Sequence, residues 1–381
     1  MRVMDFDTSV APPLYEMGYW SGTVRRWYKE GLPKKQGVPE YFRSGESVLG
    51  PLIGGKKKCE DPGNVVKFDK GAENFPLVNW IFPEFEPQVL EELGDRLLII
   101  DEMGIKKKSS RENDSIPEYY EWPIKTRDDW ERFKEERLDP KTPGRYPENL
   151  DGVIERFKRR DYPLLIGGHP AVGFFGPVRY LMGEVKLFTS YYDDPDLVRK
   201  IISDLVDFWI QLWTPVLSRI QVDWVYMWED MCYKTAPLIS PAIFREFMLS
   251  AYTRFTSFLK EMGVKNIIVD TDGNCWDLIP LFLEGGVTGL YPMEVAAGMD
   301  VVEVRKKYPN LQIMGGIDKR VLAKGRNEID EELKRKITFM LKRGGYIPCV
   351  DHAVPPDVPL ENFVYYRKRL EEIIGRTGAL P

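Results

Sequence analysis

From about residue 160 onward the chain alternates short apolar runs with longer amphipathic segments, and this alternation is the pattern of successive β-α-β units around a parallel sheet. Runs at 162–168, 222–228, 266–269, 287–291, 311–315 and 346–350 predict strands. Between the first two, 196–221 carries Leu197, Ile201, Leu205, Phe208, Leu212 and Val216 at helical spacing. Ser240 followed by Pro241 is the expected start of a helix over 241–262, a side-chain cap and then a ring that fits the first turn. Helices near 276–284, 301–307, 328–342 and 360–374 complete the series, so the fold class predicted is α/β, a (β/α)8 TIM barrel.

Residues 1–160 are less regular. The segment 12–20 is expected to be the first barrel strand, with 21–31 in helical spacing after it. The stretches 96–105 and 116–122 alternate around Asp101, Gly104 and Asn113-Asp114, which predicts a small antiparallel insertion within about 50–150 that walls one side of the pocket. A length of 381 residues with 43% hydrophobic content supports a large core, so 1–381 is expected to be a single domain. Gly167-Gly168 and Gly315-Gly316 close strands, but no phosphate-binding glycine spacing accompanies them.

Charge and cysteine usage exclude several classes. A net charge of -5 offers no basic field for phosphates, so nucleic acid is not expected as a partner. Lys56 to Lys58 and Lys106 to Lys108 are expected in solvated loops. There is neither an apolar leader in the first residues nor a stretch of membrane-spanning length, and Cys59, Cys232, Cys275 and Cys349 form no C-x-x-C pair. A cytoplasmic protein without disulfides is the expectation, in which one cysteine could be a thiolate ligand or simply a small packed residue.

The chemistry-bearing residues fall at the C-terminal ends of the predicted strands, where a barrel gathers its catalytic groups. One strand ends in Asp270-Thr271-Asp272-Gly273-Asn274, the next in Pro292-Met293-Glu294, the last in Asp351-His352. Carboxylates and an imidazole converging from separate loops make a metal site the first expectation, with Asp270, Asp272, Glu294 and His352 as ligands and zinc as the ion, manganese being possible. Each residue also has a plainer use. Asp272-Gly273-Asn274 is good turn chemistry, Asp351 can bond backbone or orient His352, and His352 can be a core histidine. Glu229 and Asp230, after the 222–228 strand, are candidate proton donors or turn carboxylates, and His169 either touches substrate or caps its loop. Tyr15, Tyr19, Trp20, Phe174, Phe175, Trp228, Tyr233 and Tyr291 map near this face and could enclose a flat substrate. No nucleophile-base pair of the Ser-His or Cys-His kind is evident.

A set of short motifs in fixed order carries a resemblance. Gly176-Pro177 with Gly183-Glu184, Leu238-Ile239-Ser240-Pro241 with Phe244, Asp272-Gly273-Asn274, Pro292-Met293-Glu294 with Gly298-Met299-Asp300, Gly315-Gly316-Ile317-Asp318, and the run from Pro355 to Asn362 span about 160–375. In this order they resemble the uroporphyrinogen decarboxylase superfamily, and within it the branch of corrinoid-dependent methyltransferases. That resemblance implies a TIM barrel and a zinc site. It also implies methyl removal from an O-methyl (methoxyaromatic) or N-methyl small molecule, with transfer to Co(I) of a corrinoid (cobalamin-type) cofactor on a separate protein. The sequence departs from the branch where zinc-binding thiolates are expected: those positions hold Asp270, Asp272 and His352. A decarboxylase, or a non-catalytic barrel that binds a tetrapyrrole or corrinoid, are the alternatives. The decarboxylases' arginine-rich N-terminal signature has no counterpart, and Tyr15 to Trp20 stand in that region.

Overall fold

The computed structural model describes residues 1–32, 72–110 and 116–375. Its centre is a curled parallel sheet of seven strands: β1 (Glu73–Asn74), β6 (Leu164–Gly167), β7 (Trp224–Trp228), β8 (Asn266–Asp270), β9 (Gly289–Tyr291), β10 (Gln312–Met314) and β11 (Tyr346–Ile347), paired in that order. Four more strands, β2 (Gln88–Leu93), β3 (Arg96–Ile100), β4 (Lys106–Ser110) and β5 (Glu118–Glu121), form a separate antiparallel sheet in sequence order. The six strands expected after residue 160 are all present, each within its apolar run or within one residue of its end.

The first strand differs from expectation. Residues 12–20 are extended but join the sheet only through a single parallel bridge, Tyr19 to Val354. The strand beside β6 is instead the two-residue β1, with Glu73 opposite Leu164 and Asn74 opposite Leu165. The seven strands thus form a half-barrel sheet rather than a continuous eight-stranded ladder. The run Lys106 to Lys108 lies in β4 and not in a loop: Lys106 pairs with Glu121 at 2.9 Å and Lys107 with Asp101 at 2.7 Å. Lys56 to Lys58, Cys59 and Asn113-Asp114 lie outside the described residues.

Helices cover the convex side. The longest, Pro195–Leu217, is capped by the Asp194 side chain, which accepts from Leu197 N, and its stripe from Leu197 to Val216 is buried. Each such Leu, Ile or Phe removed from water contributes about 1.5–3 kcal/mol, which fixes the helix against the sheet more firmly than its own propensity would. Ser240 accepts from Ile243 N as its spacing predicts, and the helix it starts runs through a π turn into Leu249–Glu261.

Period-two alternation divides the strands between two apolar cores. Leu165, Trp224, Tyr226, Trp228, Ile268, Tyr291, Met314 and Ile347 pack together on the concave side. Val225, Met227, Ile267, Val269, Leu290 and Ile313 pack outward against the helices. The N-terminal residues close the concave core at the strands' N-terminal ends: Val3 and Met4 join it, and Gln312 Nε2 donates to Met4 O at 2.9 Å. Among the described residues, no helix is long and apolar enough to cross a membrane.

Candidate active site

Asp270 is the last residue of β8, and strand parity turns it inward with Ile268. It is buried and accepts a hydrogen bond from the Tyr226 hydroxyl. Burial, and next the neighbouring Asp272 carboxylate, push its carboxyl well above the usual range, which favours the protonated form that can donate. Below it the Tyr15 and Tyr291 hydroxyls share a hydrogen bond of 3.2 Å, so the concave floor is a cluster of tyrosines.

Two residues on, Asp272 forms an ion pair with His352, Oδ2 to Nε2 at 3.4 Å. Burial works against both charges, but their mutual attraction prevails: the carboxyl lies below its usual range and the imidazole above its ordinary 6.5. Trp20 stacks on His352, ring centroids 6.1 Å apart. Among the described residues, the buried Asp272 Oδ1 has no hydrogen-bond partner. Asp230, in a left-handed conformation at φ 41°, accepts from Arg179 Nη2 at 2.6 Å. Its carboxyl is raised by burial, against the pull of Arg179 and with the push of Asp272. A non-glycine residue held there is strained backbone beside the Asp270 and Asp272 carboxylates.

His169 faces the same mouth. Its ring meets Trp228 edge-on at 4.4 Å and Nε2 lies 3.4 Å from the Tyr180 hydroxyl. Burial and then Arg179 bring it down to about 4, so it is a neutral imidazole at physiological pH. Trp228 and Tyr180, 4.9 Å apart, extend this aromatic wall, and Tyr119 of the antiparallel sheet reaches Tyr180 at 6.5 Å. Through Tyr119 the antiparallel sheet therefore touches this aromatic wall. Tyr233 is 68% exposed and belongs to the outer rim.

Four expected site residues point elsewhere. Glu229 follows Trp228 and by parity turns outward: it accepts from the backbone N–H of Phe174, Phe175 and Gly176 at 2.8, 2.6 and 3.0 Å and from the Tyr252 hydroxyl. It is a fully buried structural carboxylate. Phe174 packs on Tyr252 and Phe255, and Phe175 stacks on Phe188, all behind the sheet. Tyr19 packs on Trp27 and Phe363, because the alternation that turns Tyr15 and Met17 inward is interrupted at Gly18, φ 148°. Tyr15, Trp20, Trp228 and Tyr291 remain at the site.

The remaining carboxylates are already engaged. Asp351 is fully buried and accepts from Val295 N at 2.8 Å and Lys319 N at 3.0 Å, which is the backbone-holding role open to it in the sequence. Glu294 Oε2 accepts from Gly273 N at 3.0 Å. Lys319 Nζ lies 3.5 Å from both Glu294 Oε1 and Asp351 Oδ1. The residues do not fit a four-ligand zinc site as they stand: Asp270 is tied to Tyr226, Glu294 to Gly273 and Lys319, and among the described residues no three His, Cys, Asp or Glu side chains are grouped to hold a metal. Cys232, Cys275 and Cys349 are buried thiols whose ionisation burial opposes, Cys275 being pushed up to about 12, so none is a ready thiolate. Tyr226, Tyr180, Arg179 and Lys319 are site residues that sequence reasoning missed. Parity with Trp228 could have found Tyr226.

A half-barrel with ionisable groups on the loops at its C-terminal mouth defines an α/β scaffold of the kind that carries enzymes. The profile of the uroporphyrinogen decarboxylase (URO-D) family matches residues 93–372, most of the chain, and the protein belongs to that family. Its members are generally enzymes. A solved structure described as a D-tagatose 3-epimerase-like protein aligns over 60% of this chain and 83% of its own, at 14% identity and a TM-score of 0.31. No curated protein gives a significant match.

Proposed function

We propose that this protein removes a methyl group from an O-methyl, typically methoxyaromatic, or N-methyl small molecule and passes it to a Co(I) corrinoid held by a separate protein, with Asp270 as the acid. The observation that carries the reading is a buried carboxyl at a strand end, whose ionisation burial and the Asp272 carboxylate oppose, beside the Asp272–His352 ion pair. The corrinoid supplies the electron pair of the new bond to carbon. The pair of the broken C–O or C–N bond stays on the leaving atom, which takes the Asp270 proton. Tyr226 holds Asp270 in place, Asp272 discourages its ionisation, and Trp20, Trp228 and Tyr180 offer aromatic faces to a flat substrate. No step needs a protein nucleophile. Decarboxylation of a substrate with many carboxylates is less well supported, because Arg179 and Lys319 at the mouth are both engaged by carboxylates of the protein.

The test is to mix the purified protein with chemically reduced cob(I)alamin and a panel of methoxyarenes and methylamines, following the Co(I) absorbance. Loss of that absorbance with release of the demethylated product is expected. Carbon dioxide release from uroporphyrinogen without any demethylation would replace this reading by the decarboxylase. Corrinoid or porphyrin binding with neither reaction would replace it by a binding barrel.

A further inference from the structure

The zinc expected from the sequence and the donors found in the structure disagree, and the residue at the point of disagreement is Lys319. It begins the short helix Lys319–Leu322 after β10, while Glu294 follows β9 and Asp351 follows β11. Its ammonium is 3.5 Å from a carboxylate oxygen of each, so one side chain ties three successive strand ends together. The lysine side chain is 18% exposed and Asp351 is fully buried, so these contacts sit in a medium that screens them poorly. Asp351 Oδ1 also accepts the backbone N–H of Lys319, which fixes where the side chain starts.

We propose that Lys319 is the built-in cation of this site: its ammonium stands between Glu294 and Asp351 where a divalent ion would otherwise gather the carboxylates, so the wild-type protein binds no stoichiometric zinc and removal of the ammonium creates a zinc site. The charge balance supports this. Lys319 already supplies a positive charge to both carboxylates that it touches, and Asp272 with His352 balance each other. A doubly charged ion added beside the ammonium would meet a like charge within a few ångströms, in surroundings that screen the repulsion poorly. Without the ammonium, Glu294 Oε1 and Asp351 Oδ1 face each other across the position it occupies, each 3.5 Å from where Nζ stands. Carboxylate oxygens suit manganese, and zinc also accepts them. The assignment is independent of the reaction proposed above.

Wild type, Lys319→Met, Lys319→Arg and the double variant Lys319→Met with Glu294→Gln are to be titrated with Zn2+ and Mn2+ by calorimetry, and their retained metal measured after gel filtration. Circular dichroism and a melting curve check that each is folded, with Lys319→Gln as the substitute should Lys319→Met fail to fold. Wild type and Lys319→Arg are expected to retain no stoichiometric metal. Lys319→Met is expected to bind one equivalent at least about tenfold more tightly than wild type, and the double variant to lose that gain. One equivalent retained by the wild-type protein overturns the assignment, and so does a folded Lys319→Met that binds no better than wild type. Binding is read without turnover, so a failure of the demethylation test leaves the outcome interpretable.

Discussion

Two buried acids on adjacent strands, Glu229 behind the sheet and Asp270 in front of it, are both raised by burial, yet they are built for opposite ends. Glu229 has four donors aimed at it and anchors the loop that begins the helix Gly176–Met182. Among the described residues Asp270 has one, from Tyr226, and an ionised carboxylate as its neighbour. A perturbed carboxyl whose partners are complete is architecture; one with spare capacity at a cleft is available for chemistry.

The largest effect should come from Glu229→Ala. It leaves three backbone N–H groups and the Tyr252 hydroxyl buried without an acceptor. A loss of about 3–5 kcal/mol in denaturant unfolding is expected. An unchanged midpoint would erase the distinction drawn between the two acids.

Asp270→Asn should do the reverse. It keeps the shape and removes an acid that the fold does not hold with a full set of donors, so stability should change by under about 1 kcal/mol. Turnover should fall by roughly 10²–10⁴, the span of a lost general acid, with Tyr226→Phe causing a smaller loss. An Asp270→Asn protein with full activity would move the acid elsewhere, Asp230 being next in place.

The smallest effect concerns the Asp272–His352 pair and sharpens the comparison through pH. His352 is raised, so its contribution is complete below the ordinary 6.5 and is lost as pH climbs through the higher folded value. Asp272 is lowered, so its share is complete above the ordinary 3.8 and is lost as pH drops through the lower folded value. Between those limits the partly exposed pair should contribute about 1 kcal/mol or less. His352→Gln should remove that contribution and leave melting temperature flatter between pH 6 and 9 than in wild type; a parallel pair of curves would mean the two groups do not sense each other.

The sequence made the strand ends legible because β-branched and apolar runs such as Ile267-Ile268-Val269 stop abruptly at acids. It said little about β1, whose Glu73 and Asn74 show no apolar alternation and gain their place only from β6. Glu229 and Asp230 looked equivalent as neighbours, although the inward set Trp224, Tyr226 and Trp228 already assigns Glu229 to the other face. Lys319 was invisible for a different reason. Beside Asp318 and Arg320 it resembles an ordinary charged surface turn, and only the curl of the sheet brings it to Glu294 and Asp351. The ligand count made on the sequence treated Glu294 as free, whereas the curl of the sheet sets the Lys319 ammonium beside it.

The closing of the sheet's lower end by Val3 and Met4 bears on how the chain folds. Gly345 N donates to Val3 O at 2.9 Å, and Glu16, fully buried, is paired with Arg367 at 2.8 Å and accepts from Tyr366 at 2.7 Å. The Glu16–Arg367 pair closes a loop of 351 residues, so the entropy of that closure must be met before the buried ion pair can form, and this end of the sheet sets late in folding.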